Sequence, residues 1–318
     1  MPTTVNQVID HARRELAKTI VGQREALDLL LVTLLCGGHA LIEGVPGLAK
    51  TLAVRTLARI LRLQFHRVQC TPDLMPADIV GSSVLQMATS QFVLRRGPVF
   101  TDLLLVDEVN RMPPRTQSAL LEAMEERQVT IDGQSHPLSP AFATFATQNP
   151  VEFEGTYPLP EAELDRFLVM IRFGYPDASA RDEEAILERY QQGFDARDLD
   201  RLDIVPLAVD QLADARREAA EVRVEAGLVT YIASIARRTR EWSAVSLGAS
   251  PRATINLMQV AKAMAAIDGR DFVLPDDVKR AAVPVLRHRL VLKPEADLEG
   301  VTTEQVTHDV LASVEVPA

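Results

Sequence analysis

The chain has 318 residues, 47% hydrophobic and 25% charged, with 44 acidic against 34 basic side chains and a formal charge of −10. That length allows a sizeable core divided over two domains, and the acidic balance disfavours broad nonspecific binding to nucleic acid. The longest apolar run, residues 26–36, contains Asp28 and is too short to cross a bilayer. Residues 1–11 lack the apolar core of a signal peptide, so the expected location is cytoplasmic. Cys36 and Cys70 have no metal or disulfide spacing and read as buried free thiols, and the six histidines are scattered, with no transition-metal arrangement.

In chain order, Val5, Val8, Ile9, Ala12 and Leu16 recur at helical spacing and predict an amphipathic helix over residues 5–19. Ile20-Val21-Gly22-Gln23 is an apolar pair closed by a glycine turn, placed either to pack on an adenine ring or to serve as ordinary core. A second helix, Arg24 to Cys36, leads to the most informative stretch. There His39-Ala40-Leu41-Ile42 reads as a buried strand and Gly44-Val45-Pro46-Gly47-Leu48 as a turn. Lys50-Thr51 then opens a helix carrying Leu52, Leu57, Ile60 and Leu61.

Strand, glycine loop and helix in that order give the context of a phosphate-binding loop. Backbone N–H groups must point inward round a polyphosphate, which Gly44 and Gly47 permit, and the helix presents its positive end to the same anion. Lys50 is placed to reach the β- and γ-phosphates and the Thr51 hydroxyl to take a place on Mg²⁺. Ala49 stands where the general pattern has its second glycine; it is unstrained only with right-handed helical dihedrals. The competing reading is a strand-to-helix turn with a surface lysine.

Leu63 to Val68 alternates like a strand, residues 71–81 read as loop at both prolines, and Gln91 to Phe100 suggests a small β element around the Gly97-Pro98 turn. Leu103-Leu104-Leu105-Val106-Asp107-Glu108 is an apolar central strand with two carboxylates at its C-terminal end, where α/β sheets place ligands. Asp107 would hold a water of the Mg²⁺ shell and Glu108 would orient and deprotonate the attacking water; alternatively the two merely cap the next helix. Pro113 to Glu126 reads as a helix, Val129 to Pro137 as a hairpin with an Asp-Gly turn, and Ala143 to Asn149 as a buried strand. Asn149 is placed to touch the γ-phosphate or the attacking water, or simply to start the turn at Pro150. Arg166 precedes a last strand, Phe167 to Phe173, and pairing with Asp165 or Glu163 is its plain reading. From Tyr175-Pro176 onward the pattern is mostly helical. Ser250-Pro251-Arg252 opens a helix with Arg252 in the first turn, an unfavourable place for a cation that an external anion such as an ATP phosphate would explain.

Together these residues resemble the MoxR family of AAA+ ATPases, from Val21 to about residue 290. The specific pieces are Glu43 to Thr51, Val106-Asp107-Glu108-Val109-Asn110-Arg111, Thr147-Gln148-Asn149-Pro150 and Leu164-Asp165-Arg166-Phe167. In that family alanine at position 49 is usual. The resemblance implies a five-stranded parallel sheet with flanking helices over residues 1–176, then an all-α lid over 177–318. It further implies an ATP site of Val21, Gly22 and the loop Gly44 to Thr51, with Mg²⁺ on Thr51 and Asp107. Implied catalytic roles fall to Lys50 (Walker A), Glu108 (Walker B), Asn149 (sensor 1), Arg166 (arginine finger) and Arg252 (sensor 2). Residues 71–100 and 129–137 look like the helix-2 insert and the pre-sensor-1 hairpin. The implied activity is ATP hydrolysis by a chaperone-like hexamer acting on a protein client, often beside a von Willebrand factor A domain protein. A magnesium-chelatase-type motor subunit is the alternative within the clade. A nucleotide-gated scaffold or DNA-associated motor is the alternative outside it, disfavoured by the Asp107-Glu108 pair and the acidic balance.

Overall fold

The computed structural model describes residues 3–88, 90–149, 155–177 and 181–317. Helices α1 (Thr4–Leu16) and α2 (Arg24–Leu35) precede strand β1 (Ala40–Glu43), and α3 (Lys50–Ile60) leads to β2 (Phe65–Gln69). An excursion of α4 (Pro76–Val80), β3 (Gly81–Gln86) and β4 (Gln91–Arg96) follows, then β5 (Leu103–Asp107) and α5 (Pro114–Glu126). The hairpin β6 (Gln128–Ile131) and β7 (Gln134–Pro137) precedes β8 (Ala143–Gln148), and the short α6 (Glu161–Leu164) precedes β9 (Val169–Arg172). Five of these strands make one sheet in the order β2-β5-β8-β1-β9, with every pairing parallel.

The near-continuous apolar runs are what a parallel sheet covered on both faces requires. Successive residues point to opposite faces. Ala40, Ile42, Leu103, Leu105, Phe145 and Val169 join the core that α1, α2 and α3 cover. Leu41, Leu104, Val106, Ala146 and Met170 join a second core under α4 and α5. Of the five, only β2 has a mostly exposed pattern; β9, at the other edge, is covered by α2 and α11.

The rest of the chain is helical: α7 (Asp182–Gln191), α8 (Gln211–Glu221), α9 (Ala226–Glu241), α10 (Pro251–Ile267), α11 (Pro275–Leu286), α12 (Pro294–Leu298) and α13 (Thr303–Ser313). A two-stranded clip, β10 (Val245–Leu247) with β11 (Val291–Leu292), ties its middle. The first core continues into this region without a break, from Val5, Leu30 and Leu57 to Val260, Ala281 and Val310. It is α1 and α2 that bridge the two parts, packing on α8 and α10. The change from sheet to helices near residue 176 is thus a change of element type, crossed by a shared core. No helix among the described residues is long and apolar enough to cross a membrane.

Two local expectations are corrected. The loop expected over 71–81 contains α4, with Pro76 at its first position, where a missing N–H costs nothing. The β element expected around Gly97-Pro98 is instead the β3–β4 hairpin, paired from Gly81 with Arg96 to Gln86 with Gln91. Gly97 stands at the hairpin's foot, where a Cβ would lie 2.2 Å from the Ile79 carbonyl oxygen. The second hairpin has the expected turn, with φ +49° at Asp132 and +78° at Gly133.

Candidate functional site

The loop between β1 and α3 leaves the C-terminal end of β1, and its two glycines are required for different reasons. A Cβ on Gly44 would sit 2.7 Å from the Phe173 carbonyl oxygen, so β9 leaves it no room. Gly47 has open space around it but a φ of +89°, so there the backbone conformation selects glycine. Ala49 does not have the right-handed dihedrals that would leave it unstrained. Its φ is +60° and ψ +19°, a left-handed cap whose carbonyl accepts the Ala53 N–H at 2.9 Å. Such a conformation costs an alanine about 1–2 kcal/mol, held here by the loop and helix on either side. Lys50 donates to the Gly44 carbonyl across the loop. Burial pulls its pKa down, against the opposing pull of Asp107, Glu108 and Glu43.

Lys50 and Thr51 share a cleft of about 450 Å³ with Asp107, Glu108 and Asn149. The sheet order does this: β1, β5 and β8 are adjacent and parallel, so their C-terminal ends open on one edge. Thr147 joins the carboxylates, its hydroxyl donating to Asp107 Oδ1 at 3.1 Å and accepting the Glu108 N–H at 3.0 Å. Asp107 Oδ2 faces the Thr51 hydroxyl at 3.5 Å and takes an ion pair from Arg67 Nε at 2.6 Å. Gln69 donates to Glu108 Oε2 at 2.9 Å. Thr51 and Asp107 offer the hard oxygen donors that suit Mg²⁺, and their convergence fits such an ion.

A smaller apolar cavity of about 160 Å³ adjoins this cleft, lined by Ile20, Val21, Leu48, Leu52, Ile186 and Tyr190 among others. Its size and lining suit the flat face of a base. Of the expected ATP-site residues, Gly22, Gly44 and Val45 line neither space. Tyr190 borders both spaces. Nothing in the sequence singles out Arg67, Gln69 or Tyr190, and Thr147 enters there only as part of the Thr147-Gln148-Asn149-Pro150 motif, because their relevance comes from strand order and from α7 folding back over the loop.

Arg166 and Arg252 are elsewhere. Arg166 precedes β9 and His39 precedes β1, so both stand at the N-terminal edge of a parallel sheet, opposite the phosphate loop. Arg166 Nε pairs with Glu125 Oε2 at 2.8 Å, and Arg252 Nη2 with Glu125 Oε1 at 3.0 Å. The expected anion beside Arg252 is thus a carboxylate of its own chain, and the expected partners of Arg166, Asp165 or Glu163, are replaced by Glu125. Together with Arg127 these residues line a separate cleft of about 260 Å³. The physical reason is the anchoring of α10. Ser250 caps it, accepting the Ala253 N–H at 3.0 Å, and also donates to Asp165 Oδ2 at 2.9 Å. Buried Arg289 grips the other Asp165 oxygen at 2.7 Å and the Leu168 carbonyl at 3.1 Å. The start of α10 is therefore fixed to the far edge.

This sheet, with a glycine loop after a central strand and carboxylates at the end of its neighbour, is the architecture of a P-loop nucleotide-binding protein. Comparison with known proteins agrees. The family model described as "ATPase family associated with various cellular activities (AAA)" matches residues 39–169, and that of the AAA lid domain matches residues 237–310. "Uncharacterized protein YeaC" of Bacillus subtilis (strain 168) is 42% identical, over 98% of this chain and 95% of its own length. "Chaperone MoxR1" of Mycobacterium tuberculosis is also 42% identical, over 97% of this chain and 82% of its own. "Protein MoxR" of Methylorubrum extorquens is 30% identical over 95% and 92%. A crystal structure of a Cytophaga hutchinsonii protein assigned as an ATPase superposes with a TM-score of 0.89 at 41% identity, covering 99% of this chain and 96% of that one. The chain belongs to the MoxR family of AAA+ ATPases.

Proposed function

We propose that this chain binds ATP with Mg²⁺ in the cleft at the C-terminal sheet edge, hydrolyses it, and couples turnover to remodelling a protein partner. The observation that carries this reading is the convergence of Lys50, Thr51, Asp107, Glu108 and Asn149 on one cleft, with an apolar cavity for the base beside it. Lys50 and the loop amides hold the phosphates, while Thr51 and Asp107 hold the metal. Mg²⁺, when bound, screens the phosphate charge. Glu108 takes the proton of the attacking water, and Asn149 orients that water or the γ-phosphate.

Arg166 and Arg252 cannot serve their own nucleotide from the opposite edge. A head-to-tail ring, six-membered on the family pattern, brings that edge to a neighbour's phosphates. An arginine supplied in this way is worth about 10³–10⁵ in turnover. Residues 1–176 would then act as the nucleotide-binding unit and 177–318 as its helical lid, working in the cytoplasm. A relative named a chaperone supports a protein client, and the family pattern points to one with a von Willebrand factor A domain. The β3–β4 hairpin, with Met87 84% and Phe92 74% exposed, offers such a client an apolar contact.

The test is turnover and nucleotide binding measured together. Lys50→Ala should lose binding. Glu108→Gln should keep binding and lose about 10²–10⁴-fold in rate. Arg166→Ala should assemble and bind but hydrolyse poorly, and recover some activity when mixed with Lys50→Ala subunits. Turnover within a few-fold of wild type in Glu108→Gln removes Glu108 from the mechanism, and near-normal hydrolysis by assembled Arg166→Ala removes the shared site.

A further inference from the structure

We infer that Arg67 is a built-in cation on the metal-facing oxygen of Asp107, and that it competes with the divalent ion of a bound nucleotide for that oxygen. Arg67 and Gln69 both lie on β2. In a strand, residues two apart share a face, so Arg67 and Gln69 point the same way. Parallel register sets Gln69 beside Asp107 and Arg67 beside Leu105. From there the Arg67 side chain runs along the strand to Asp107 Oδ2 at 2.6 Å, while its Nη2 braces on the Gln69 side-chain oxygen at 3.0 Å.

The two Asp107 oxygens are not equivalent. Oδ1 is taken by the Thr147 hydroxyl on the interior side. Oδ2 points into the cleft and lies 3.5 Å from the Thr51 hydroxyl. An ion held by Thr51 and Asp107 therefore uses the oxygen that Arg67 grips. Mg²⁺ held there through a water of its shell would put a second cation against the same oxygen and set like charges against each other. The two cations cannot hold this oxygen together without a penalty. The Arg67 side chain is 49% exposed against 9% for Asp107, so the arginine is the member free to swing into solvent.

The pair gives the buried carboxylate a counter-ion of its own, at the cost of weaker metal binding. It also lies on the strand that continues into α4 and the β3–β4 hairpin, with the Cys70 N–H bonded to the Asp107 carbonyl at 3.0 Å. Displacement of Arg67 is therefore an event at the root of the excursion.

This inference rests on the proposed nucleotide and Mg²⁺ site, so its test must separate the two. Mn²⁺ is titrated into protein held in excess over ATPγS, and the free aquo ion is followed by electron paramagnetic resonance, a readout independent of turnover. Arg67→Gln should lower the Mn²⁺ midpoint about three- to tenfold, the range for a charged pair with one half-exposed partner. Arg67→Lys, which keeps the charge, should stay nearer wild type. An unchanged or raised midpoint in Arg67→Gln, beside normal ATPγS-dependent uptake in wild type, overturns the competition and leaves the site reading standing. If wild type takes up no Mn²⁺ with ATPγS, or Lys50→Ala takes up as much, the site reading falls and the inference falls with it.

Discussion

The buried histidines make the fold acid-sensitive in a range where carboxylates do not yet titrate. His39 sits at the root of β1 with both ring nitrogens engaged. Nδ1 accepts the Thr144 N–H at 2.9 Å, and Nε2 lies 3.1 Å from the Met124 carbonyl oxygen, to which it donates. The ring is therefore neutral, and a second proton would break the Thr144 bond. Burial, reinforced by the charge on Arg127, pushes its pKa down to about 3. His288, against the Phe167 carbonyl, is likewise pushed well below the ordinary value by burial and by Arg289. In the unfolded chain both protonate near the ordinary value of about 6.5. Below that pH the unfolded state binds protons that the native state refuses, so stability falls as pH falls, and it is fully present only above it. Each histidine removes about 1.4 kcal/mol between about pH 7.5 and pH 5.5, or about 2.7 kcal/mol for the two. Urea unfolding at a series of pH values reads this directly. His39→Gln should start lower at the upper pH but lose stability with about half the wild-type slope. Wild-type stability that stays level down to about pH 5.5, or a His39→Gln slope equal to wild type, refutes the reasoning.

Ala49→Gly should not destabilise, since relief of about 1 kcal/mol of left-handed strain offsets the extra freedom of glycine in the unfolded chain; a loss above about 1 kcal/mol in thermal unfolding contradicts the strained cap. The double change Met87→Ser and Phe92→Ser alters only exposed apolar surface, so unfolding free energy should stay within about 0.5 kcal/mol and basal turnover should hold. A collapse of basal ATPase in that variant would mean the hairpin tip belongs to the nucleotide machinery or a subunit interface.

The sheet was legible because its strands are buried on both faces: runs such as Leu103-Leu104-Leu105-Val106 cannot be alternating surface strands. α1 was legible because Val5, Val8, Ile9, Ala12 and Leu16 form one stripe, and all are buried. The β3–β4 hairpin is hard to place from sequence because Gly97-Pro98 is a stronger turn signal than anything between β3 and β4. The glycine there serves a close backbone approach instead. Ala49 fell outside the local rule altogether, since propensity places alanine inside a helix rather than at a left-handed cap. Only the closure of the loop imposes that conformation.

The arginines show why a motif can be located without its surroundings. Arg252 in a first turn suggests an external anion, whereas the structure gives it Glu125 of its own chain; chain position says nothing about which edge of the sheet α10 approaches. That is decided by Asp165, whose two oxygens bind Ser250 and Arg289, pulling the cap of α10 and the chain after α11 onto the same point. The Arg289 side chain is 2% exposed and spends its other donors on the Leu168 and Val285 carbonyls among others. Loss of Asp165 would leave a buried charge short of its counter-ion, a cost of about 3–5 kcal/mol. The residue beside the proposed finger thus holds the helical part against the sheet edge from which the finger projects. Arg166, half-buried and paired with Glu125, can be replaced without touching that anchor, whereas removing its neighbour disturbs the frame that carries Arg166 and Arg252 together. A loss of turnover in Asp165→Ala therefore says nothing about transfer chemistry, while one in stable, assembled Arg166→Ala does.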